Sequence, residues 1–307
     1  MTAKARFITR RSLTRLESTL TERLHESGWP LVTPYRLFHE LRALYTSGRR
    51  LRQRKPLPDV NDLGLRRRNL VRADILIPDP DYHRRAYRIV ANSDRPAEEI
   101  CCLVDRFCYV AHLSAMARYG LTDRRPRALH LRAPNRRLAH RFLADAMTED
   151  YGESVLADLD EDQILRPQAI AHPKMVRQRP LAIFRTSYPG NSLPIRGTYA
   201  QIATIGQTFA DMLEEPKACG GMAHVLEVWR AHAELYLEDI IAAVERAPRA
   251  IAKVRAGYIL GEYLGLSDQR VEAWTRYVQR GSSRRLDPGR PFAPTYSEKW
   301  MLSLNVD

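Results

Sequence analysis

The chain has 307 residues, 44% of them hydrophobic and 28% charged, a composition that is typical of a folded globular protein and excludes extensive disorder. No run of about 18 apolar residues occurs and no apolar signal segment follows the first residues, so we expect neither membrane spanning nor export. The four cysteines have no framework spacing, which fits a reducing compartment, and we therefore expect the protein in the cytoplasm.

The formal net charge of +13 is concentrated in the first third of the chain. Residues 1–96 contain 21 Lys or Arg against 10 Asp or Glu, a net of +11, whereas residues 97–307 contain 28 against 26, a net of +2. A concentrated positive field attracts nucleic acid or anionic lipid. Because most domains have about 100–150 residues, we expect two domains, a basic one at 1–95 and a larger, near-neutral one at 96–307.

Two amphipathic helices are predicted at the start of the basic domain. The leucines of RSLTRLESTLTERLHESG recur on one helical face, and Gly28 ends this segment. After a short apolar link at 30–32, the stretch TPYRLFHELRALYTSG has Thr33 as an N-cap, Pro34 in the first turn and Gly48 beyond the last turn. Its apolar residues follow the spacing of a buried helical face.

A third helix and a β-hairpin are predicted next. The stretch DVNDLGLRRRNLVRAD predicts a helix that starts at Asp59. Its inward face is expected to carry Val60, Leu63 and Leu70. Its outer face is expected to carry Leu65, Arg68, Asn69 and Arg72. The stretch ILIPDPDYHRRAYRIV predicts strands at 75–77 and 86–90 joined by a turn at 78–81. Three helices followed by a hairpin is the order of a winged helix-turn-helix, which binds DNA.

The basic stretch RRLRQRKPLPDVNDLGLRRRNLVRAD, residues 49–74, contains nine Lys or Arg and three Asp. In such a domain long cations bind phosphates, whereas planar groups read bases, Arg on guanine and Asn on adenine. The residues expected to read bases are Arg68, Asn69 and Arg72. The other expected DNA contacts are Tyr35 and Arg36 at a helix start, Arg49, Arg50, Arg52, Arg54 and Lys55 in the loop, Arg66 and Arg67 in the third helix, and His83, Arg84 and Arg85 on the wing.

The competing interpretation of this stretch is a solvated face whose arginines form surface ion pairs. Each such pair contributes at most about 1 kcal/mol. Three acids, Asp59, Asp62 and Asp74, are too few to neutralise nine cations. The charge balance together with the predicted helix order therefore favours binding to double-stranded DNA.

The larger domain is predicted to mix helices and strands. Helices are predicted in EEICCLVDRF and YVAHLSAMARYG, and strands in RALHLRA and LAIFRTS. The remainder is mainly helical, including a helix with Ser267 as its N-cap, and WMLSLNV near the end is a predicted strand. The expected fold class is thus α+β, with an N-terminal winged helix-turn-helix followed by a larger, mainly helical α+β domain.

No motif in the larger domain predicts catalysis or a metal site. Cys108 and His112 are four residues apart, but no CxxC or HxxxH pair accompanies them, so we expect buried apolar packing for the cysteine. His224 and His232 are eight apart on a predicted helix, which we also attribute to packing. We therefore expect no catalytic residue, no cofactor and no bound metal.

Two other classes of function stay open. In the acidic stretch DLDEDQ, Asp158 and Asp160 could hold Mg²⁺ in a phosphoryl-transfer enzyme or nuclease, although phosphate-positioning groups are missing from the surrounding sequence and a solvated loop is favoured. Alternatively, the near-neutral helices of the C-terminal third could bind RNA or a partner protein.

Three stretches of the larger domain resemble the AbiEi family. They are AHLSAMARYGLTD at 111–123, IATIGQTFADMLEEPKACGGMAHVLE at 202–227 and RRLDPGRPFAPTYSEKWMLSLN at 284–305. In the basic domain, NLVRADIL and AYRIV are similar to the end of that family's N-terminal winged helix.

The AbiEi family comprises antitoxins and transcriptional regulators of type IV, abortive-infection toxin-antitoxin systems. The resemblance implies a repressor that binds inverted repeats in the operator of its own toxin-antitoxin operon. It also implies an antitoxin activity in the C-terminal region against a nucleotidyltransferase-like toxin, without a stable complex being required. No catalytic residue is implied.

Overall fold

The computed structural model describes residues 13–48, 51, 55–188, 190–279 and 284–306. The chain divides into two compact units, Met1–Arg106 with Arg136–Gln178, and Phe107–Asn135 with Arg179–Asp307. The architecture is a mixture of α-helices and β-sheets, as predicted. The expected domain boundary after residue 95 stays a prediction. All described residues that precede this boundary belong to the first unit. No helix in the described ranges combines the length and apolarity needed to cross a bilayer.

Helices and short strands alternate along the described ranges of the chain. In chain order, the α-helices are α1 (Arg15–Glu26), α2 (Pro34–Tyr45), α3 (Val60–Arg72), α4 (Ala97–Val104), α5 (His112–Arg118), α6 (Arg136–Tyr151), α7 (Glu153–Asp158), α8 (Ile205–Glu214), α9 (Met222–His232), α10 (Leu237–Arg246), α11 (Ala250–Gly257) and α12 (Gln269–Ala273). The strands are β1 (Leu31–Val32), β2 (Leu76–Asp79), β3 (His83–Ile89), β4 (Tyr109–Val110), β5 (Leu129–Pro134), β6 (Met175–Val176), β7 (Arg179–Thr186), β8 (Ser192–Pro194), β9 (Gln201–Ala203), β10 (Tyr296–Ser297) and β11 (Leu302–Ser303).

The three predicted helices of the basic domain are confirmed, and side-chain caps define where they start. In α1, Thr14 and Glu17 form a capping box. In α2, Thr33 caps the helix and Pro34 occupies its first turn. Asp59 caps α3 together with Asp62. These caps satisfy backbone N–H groups that have no partner within the helix, and so they define the first turn of each helix.

The apolar faces of α1, α2 and α3 share one hydrophobic core with a small sheet. The fully buried side chains of this core include Leu20, Leu24, Phe38, Leu41 and Leu70. The sheet is antiparallel with strand order β1-β3-β2. We expected only an apolar link at 30–32, and the two-residue strand β1 within it was missed because so short a segment has no alternating pattern.

Two expectations about helix positions are wrong. Val60 was expected to face inward, but its side chain is 40% exposed because the buried side of α3 is the side of Leu63 and Leu70. Ser267 was expected to cap a helix, but the N-cap of α12 is Asp268, whose carboxylate accepts a hydrogen bond from the backbone N–H of Arg270 at 2.8 Å.

The second unit contains a mixed sheet in the order β7-β5-β4-β9-β8 and a helical core. Strand β5 runs parallel to β7 and antiparallel to β4. The residues Tyr109 and Val110, expected to begin a helix, form β4 instead, and α6, in the first unit, was not predicted. The helices pack around Phe209, Trp229 and Trp300, which are fully buried. The four cysteines are buried and form no disulfide.

Candidate nucleic-acid interface

One side of α3 presents four exposed side chains in a continuous stripe, here called the α3 stripe. The stripe consists of Asn61, Leu65, Arg68 and Arg72. These positions are separated by four, three and four residues, so they lie on one helical face, opposite the buried Leu63 and Leu70. Within the described ranges, the guanidinium groups of Arg68 and Arg72 form no ion pair and no hydrogen bond with a side chain. Two cations of α3 are therefore available to an external anion.

Asn69 does not lie in the α3 stripe, and the expectation that it shares the outer face is wrong. Its side-chain amide donates to Glu17 Oε1 of α1 at 2.7 Å. Arg66 Nη1 donates to the same carboxylate oxygen at 3.1 Å, and Glu17 is only 2% exposed. Asn69 and Arg66 thus attach α3 to α1 along the edge of its buried face, and this position does not favour contact with an external ligand.

The pKa of Glu17 reflects this contact between helices. Burial alone would raise the pKa of the carboxyl group. Hydrogen bonds from Asn69, Thr14 and Arg66 outweigh burial and hold the pKa below its ordinary value. The ionised carboxylate therefore binds Asn69 and Arg66 at neutral pH, and this fixes the rotation of α3 that exposes the α3 stripe.

The other cations of the basic stretch are either engaged within the unit or outside the described ranges. Lys55 forms an ion pair with Asp59 and lies 3.7 Å from Asp62. The guanidinium of Arg67 lies over the ring of Tyr87 in β3, 5.5 Å from its centroid. The predicted contacts outside the described residues are Arg49, Arg50, Arg52 and Arg54.

At the start of α2, Tyr35 and Arg36 have different surroundings. The hydroxyl of Tyr35 donates to Asp150 Oδ2 of α6 at 2.9 Å, and Arg106 Nη1 donates to that oxygen at 2.9 Å. Burial and this carboxylate raise the pKa of Tyr35, so the hydroxyl remains a donor. Arg36 is exposed, and its guanidinium lies over Trp29, 4.2 Å from the ring centroid. Of these two predicted contacts, Arg36 is exposed, whereas Tyr35 is half-buried and bonded to Asp150.

The predicted wing is a short hairpin in which an irregular segment presents the basic residues. The pairing partner of Pro78 is Tyr87, whereas the partner of Asp79 is His83, so the residues at 84–86 bulge out of the ladder. Bulges of this kind redirect side chains. His83, Arg84 and Arg85 are exposed, and His83 has a left-handed backbone with φ of 54°.

A residue that we did not predict, Arg177, holds the turn of this hairpin. Arg177 Nη2 donates to Asp79 Oδ2 at 2.7 Å, and Arg177 Nη1 also binds Asp81. Its Nε donates to Asp94 Oδ1 at 3.0 Å. Asp79 also accepts from the backbone N–H groups of Asp81 and Tyr82 at 3.0 and 3.1 Å. Arg177 thus offsets part of the negative charge of three carboxylates close to the basic bulge. No local sequence pattern predicts these contacts, because Arg177 is far from the three aspartates in the sequence.

The second unit contains a buried polar cluster around Arg132. This arginine is paired with Asp211 and donates to Glu214 at 3.1 Å. Gln207 donates to Asp211 Oδ1 at 2.7 Å, and the Tyr188 hydroxyl bonds Glu214. Burial raises the pKa of Asp211 to about 6, although the Arg132 guanidinium acts in the opposite direction. These contacts occur between side chains of the unit itself, which supports a structural role for the cluster.

His224 connects the stretches at 111–123 and 202–227. Its Nε2 lies 3.0 Å from Thr122 Oγ1, and its Nδ1 lies 3.2 Å from Glu227 Oε2. Thr122 belongs to the GLTD sequence and His224 to the GGMAH sequence. His224 is only 7% exposed, and both ring nitrogens are engaged within the unit.

The acidic residues of the enzyme alternative lie in exposed positions. Asp158 ends α7, and Asp160 precedes a short 3₁₀ turn. Both side chains are exposed. In the described part of the chain, neither belongs to a group of three or more His, Cys, Asp or Glu residues at ligand distance from one another. This arrangement gives no support to the Mg²⁺ alternative.

Comparisons with known proteins give a structural likeness but no family. No protein-family model matches the chain, and a search of the curated proteins finds no match. Among solved structures, the chain is similar to the RV2827C protein from Mycobacterium tuberculosis, with 15% sequence identity and a TM-score of 0.45. The similarity covers 95% of this chain and 92% of that one. A likeness of this size does not define a function.

Proposed function

We propose that the protein is a sequence-specific DNA-binding transcriptional repressor whose first unit contains a winged helix-turn-helix. The element order α1-β1-α2-α3-β2-β3, with strand order β1-β3-β2, supports this proposal. In this proposal α3 is the recognition helix in the major groove, and the β2–β3 hairpin is the wing.

The observation that carries the proposal is the α3 stripe with its two unpaired arginines. Guanidinium groups bind the O6 and N7 atoms of guanine through paired hydrogen bonds, so Arg68 and Arg72 suit base recognition. Arg84 and Arg85 on the exposed bulge, and Arg36 at the start of α2, suit phosphate binding. In this proposal Lys55 and Arg66 act within the unit, because both are paired with carboxylates.

The operator and the biological role follow from the resemblance to the AbiEi family. We propose that the protein represses its own toxin-antitoxin operon at inverted repeats, and that its C-terminal region counteracts a nucleotidyltransferase-like toxin. Expression of such a toxin from the neighbouring gene should stop growth, and coexpression of this protein should restore it. Restoration should persist after Arg68→Ala and Arg72→Ala, because the antitoxin activity is assigned to the other region.

Fluorescence anisotropy on the DNA upstream of its own gene tests the DNA-binding proposal. With about 6 to 10 phosphates neutralised, log Kd should change with log salt by about 0.9 per contact. Arg68→Ala or Arg72→Ala should cost about 1–3 kcal/mol on the operator and relax the preference at one base position. Arg84→Ala should weaken binding to operator and random duplexes alike, as should Arg52→Ala.

Arg118→Ala is the matched control, because Arg118 is an exposed arginine of the second unit. It should leave both affinities unchanged. Binding without salt dependence, or equal losses on operator and random DNA for all the first-unit variants, would contradict the proposal.

A further inference from the structure

We infer that Asn61, in the first turn of α3, is the residue that reads adenine in the recognition site. This inference rests on the proposed DNA binding and names a specificity-determining residue within it. From the sequence we expected Asn69 in this role. The hydrogen bond between Asn69 and the buried Glu17 removes that residue from the exposed face, whereas Asn61 is exposed and belongs to the α3 stripe.

The position of Asn61 in the helix is the first reason for this inference. Asn61 is the second residue of α3, and recognition helices contact base edges with their N-terminal residues. Its side-chain amide forms no hydrogen bond with any described residue. A carboxamide that is free in this place matches the major-groove edge of adenine, because its oxygen accepts from the N6 amino group while its nitrogen donates to N7.

The neighbours of Asn61 in the α3 stripe are the second reason. Leu65, one helical turn further on, is apolar and 38% exposed. An apolar side chain in the major groove contacts the methyl group of thymine. A thymine pairs with each adenine. Asn61 can therefore contact an adenine while Leu65 contacts the methyl group of a thymine, on the same A·T pair or on an adjacent one.

The spacing along the helix predicts the form of the recognition site. Asn61 and Arg68 are seven residues apart, which corresponds to about 10 Å along a helix with a rise of about 1.5 Å per residue. This length spans about three base pairs at about 3.4 Å each. We therefore expect an adenine within about three base pairs of the guanine that Arg68 contacts.

The test replaces adenines of the bound duplex, one at a time, by 7-deazaadenine, which pairs normally but lacks the N7 acceptor. The duplex is the upstream DNA bound by the full-length protein. At one position the replacement should weaken binding of the wild-type protein about 5- to 10-fold, the effect of one hydrogen bond. Asn61→Ala should lose at least as much on the natural duplex and should not respond to 7-deazaadenine at that position.

Asn69→Ala serves as the comparison variant, and it should remain sensitive to 7-deazaadenine at the same position. Equal sensitivity of wild type and Asn61→Ala at every adenine, or sensitivity that disappears in Asn69→Ala instead, would overturn the inference while leaving DNA binding intact. A wild-type protein that binds no duplex at all would overturn the proposed function as well, so the two failures are distinguishable.

Discussion

Replacing Arg177 by Gln should destabilise the first unit by leaving a buried carboxylate without its cation. Asp79 is completely buried, and the side chain of Arg177 is only 13% exposed. The Arg177→Gln variant keeps a polar side chain but removes the charge shared by Asp79, Asp81 and Asp94. The hairpin turn that presents the basic bulge would then contain three carboxylates without this partner.

The expected magnitude follows from what remains around Asp79. Removing one partner of a buried ion pair typically costs about 3–5 kcal/mol. Asp79 retains two backbone N–H donors, from Asp81 and Tyr82, so we expect a cost near the lower end, about 3 kcal/mol. Adding Asp79→Asn removes the unpaired charge and keeps an oxygen that can accept from these amides. The double variant should therefore recover about 1–2 kcal/mol relative to additivity.

Urea unfolding gives the free energy, and hydrogen exchange at the amides of Asp81 and Tyr82 gives the local effect on the turn. Arg270→Gln is the matched control, because Arg270 also binds two carboxylates but is 45% exposed. Its loss of stability should be smaller than that of Arg177→Gln, because solvent screens an exposed ion pair. An Arg177→Gln variant that unfolds like the control, or whose effect adds fully to that of Asp79→Asn, would refute this role of Arg177.

Two further predictions concern pH and have opposite signs. The pKa of Glu17 lies below its ordinary value of 4.5. The stabilisation that the ionised Glu17 provides is therefore complete above pH 4.5 and is lost as the pH falls through the folded-state pKa. The urea midpoint of Glu17→Gln should not show this loss. Because the pKa of Asp211 is raised from 3.8 to about 6, the folded protein binds more protons than the unfolded chain in this window, and stability should decrease as the pH rises through it. Asp211→Asn should not show that decrease, and a wild-type increase there would contradict the assignment.

The helices α1, α2 and α3 could be predicted from sequence because their signals are local. Thr33 and Pro34 define the start of α2 within a few residues, and the capping residues of α1 and α3 act in the same way. The strand β1 has only two residues, and its pairing with β3 joins Leu31 to Arg88, two positions far apart in the sequence. Pairing of this kind leaves no periodic signal in the short strand itself.

The candidate interface was only partly predictable, because contacts between residues far apart in the sequence leave no local signal. The periodicity of α3 placed Arg68 and Arg72 outside, and the structure has them there. Periodicity could not decide about Asn69, which lies at the edge of the buried face, where a contact with Glu17 of another helix determines its orientation. Asn61 has the spacing of the α3 stripe. Its exposure was not predicted, because the neighbouring Val60 was expected to face inward.

Total charge and individual position therefore carry different information about a basic protein. The excess of +11 over residues 1–96 predicts the chemical class of the partner, because a distant polyanion responds to the summed field. That excess does not identify the contacts. Lys55 and Arg66 have the same charge as Arg68 and Arg72, yet the first two are paired with carboxylates that cap or connect helices. Base recognition requires a guanidinium without such a partner. Arg68 and Arg72, on the exposed face of α3, meet this requirement, whereas Lys55 and Arg66 do not.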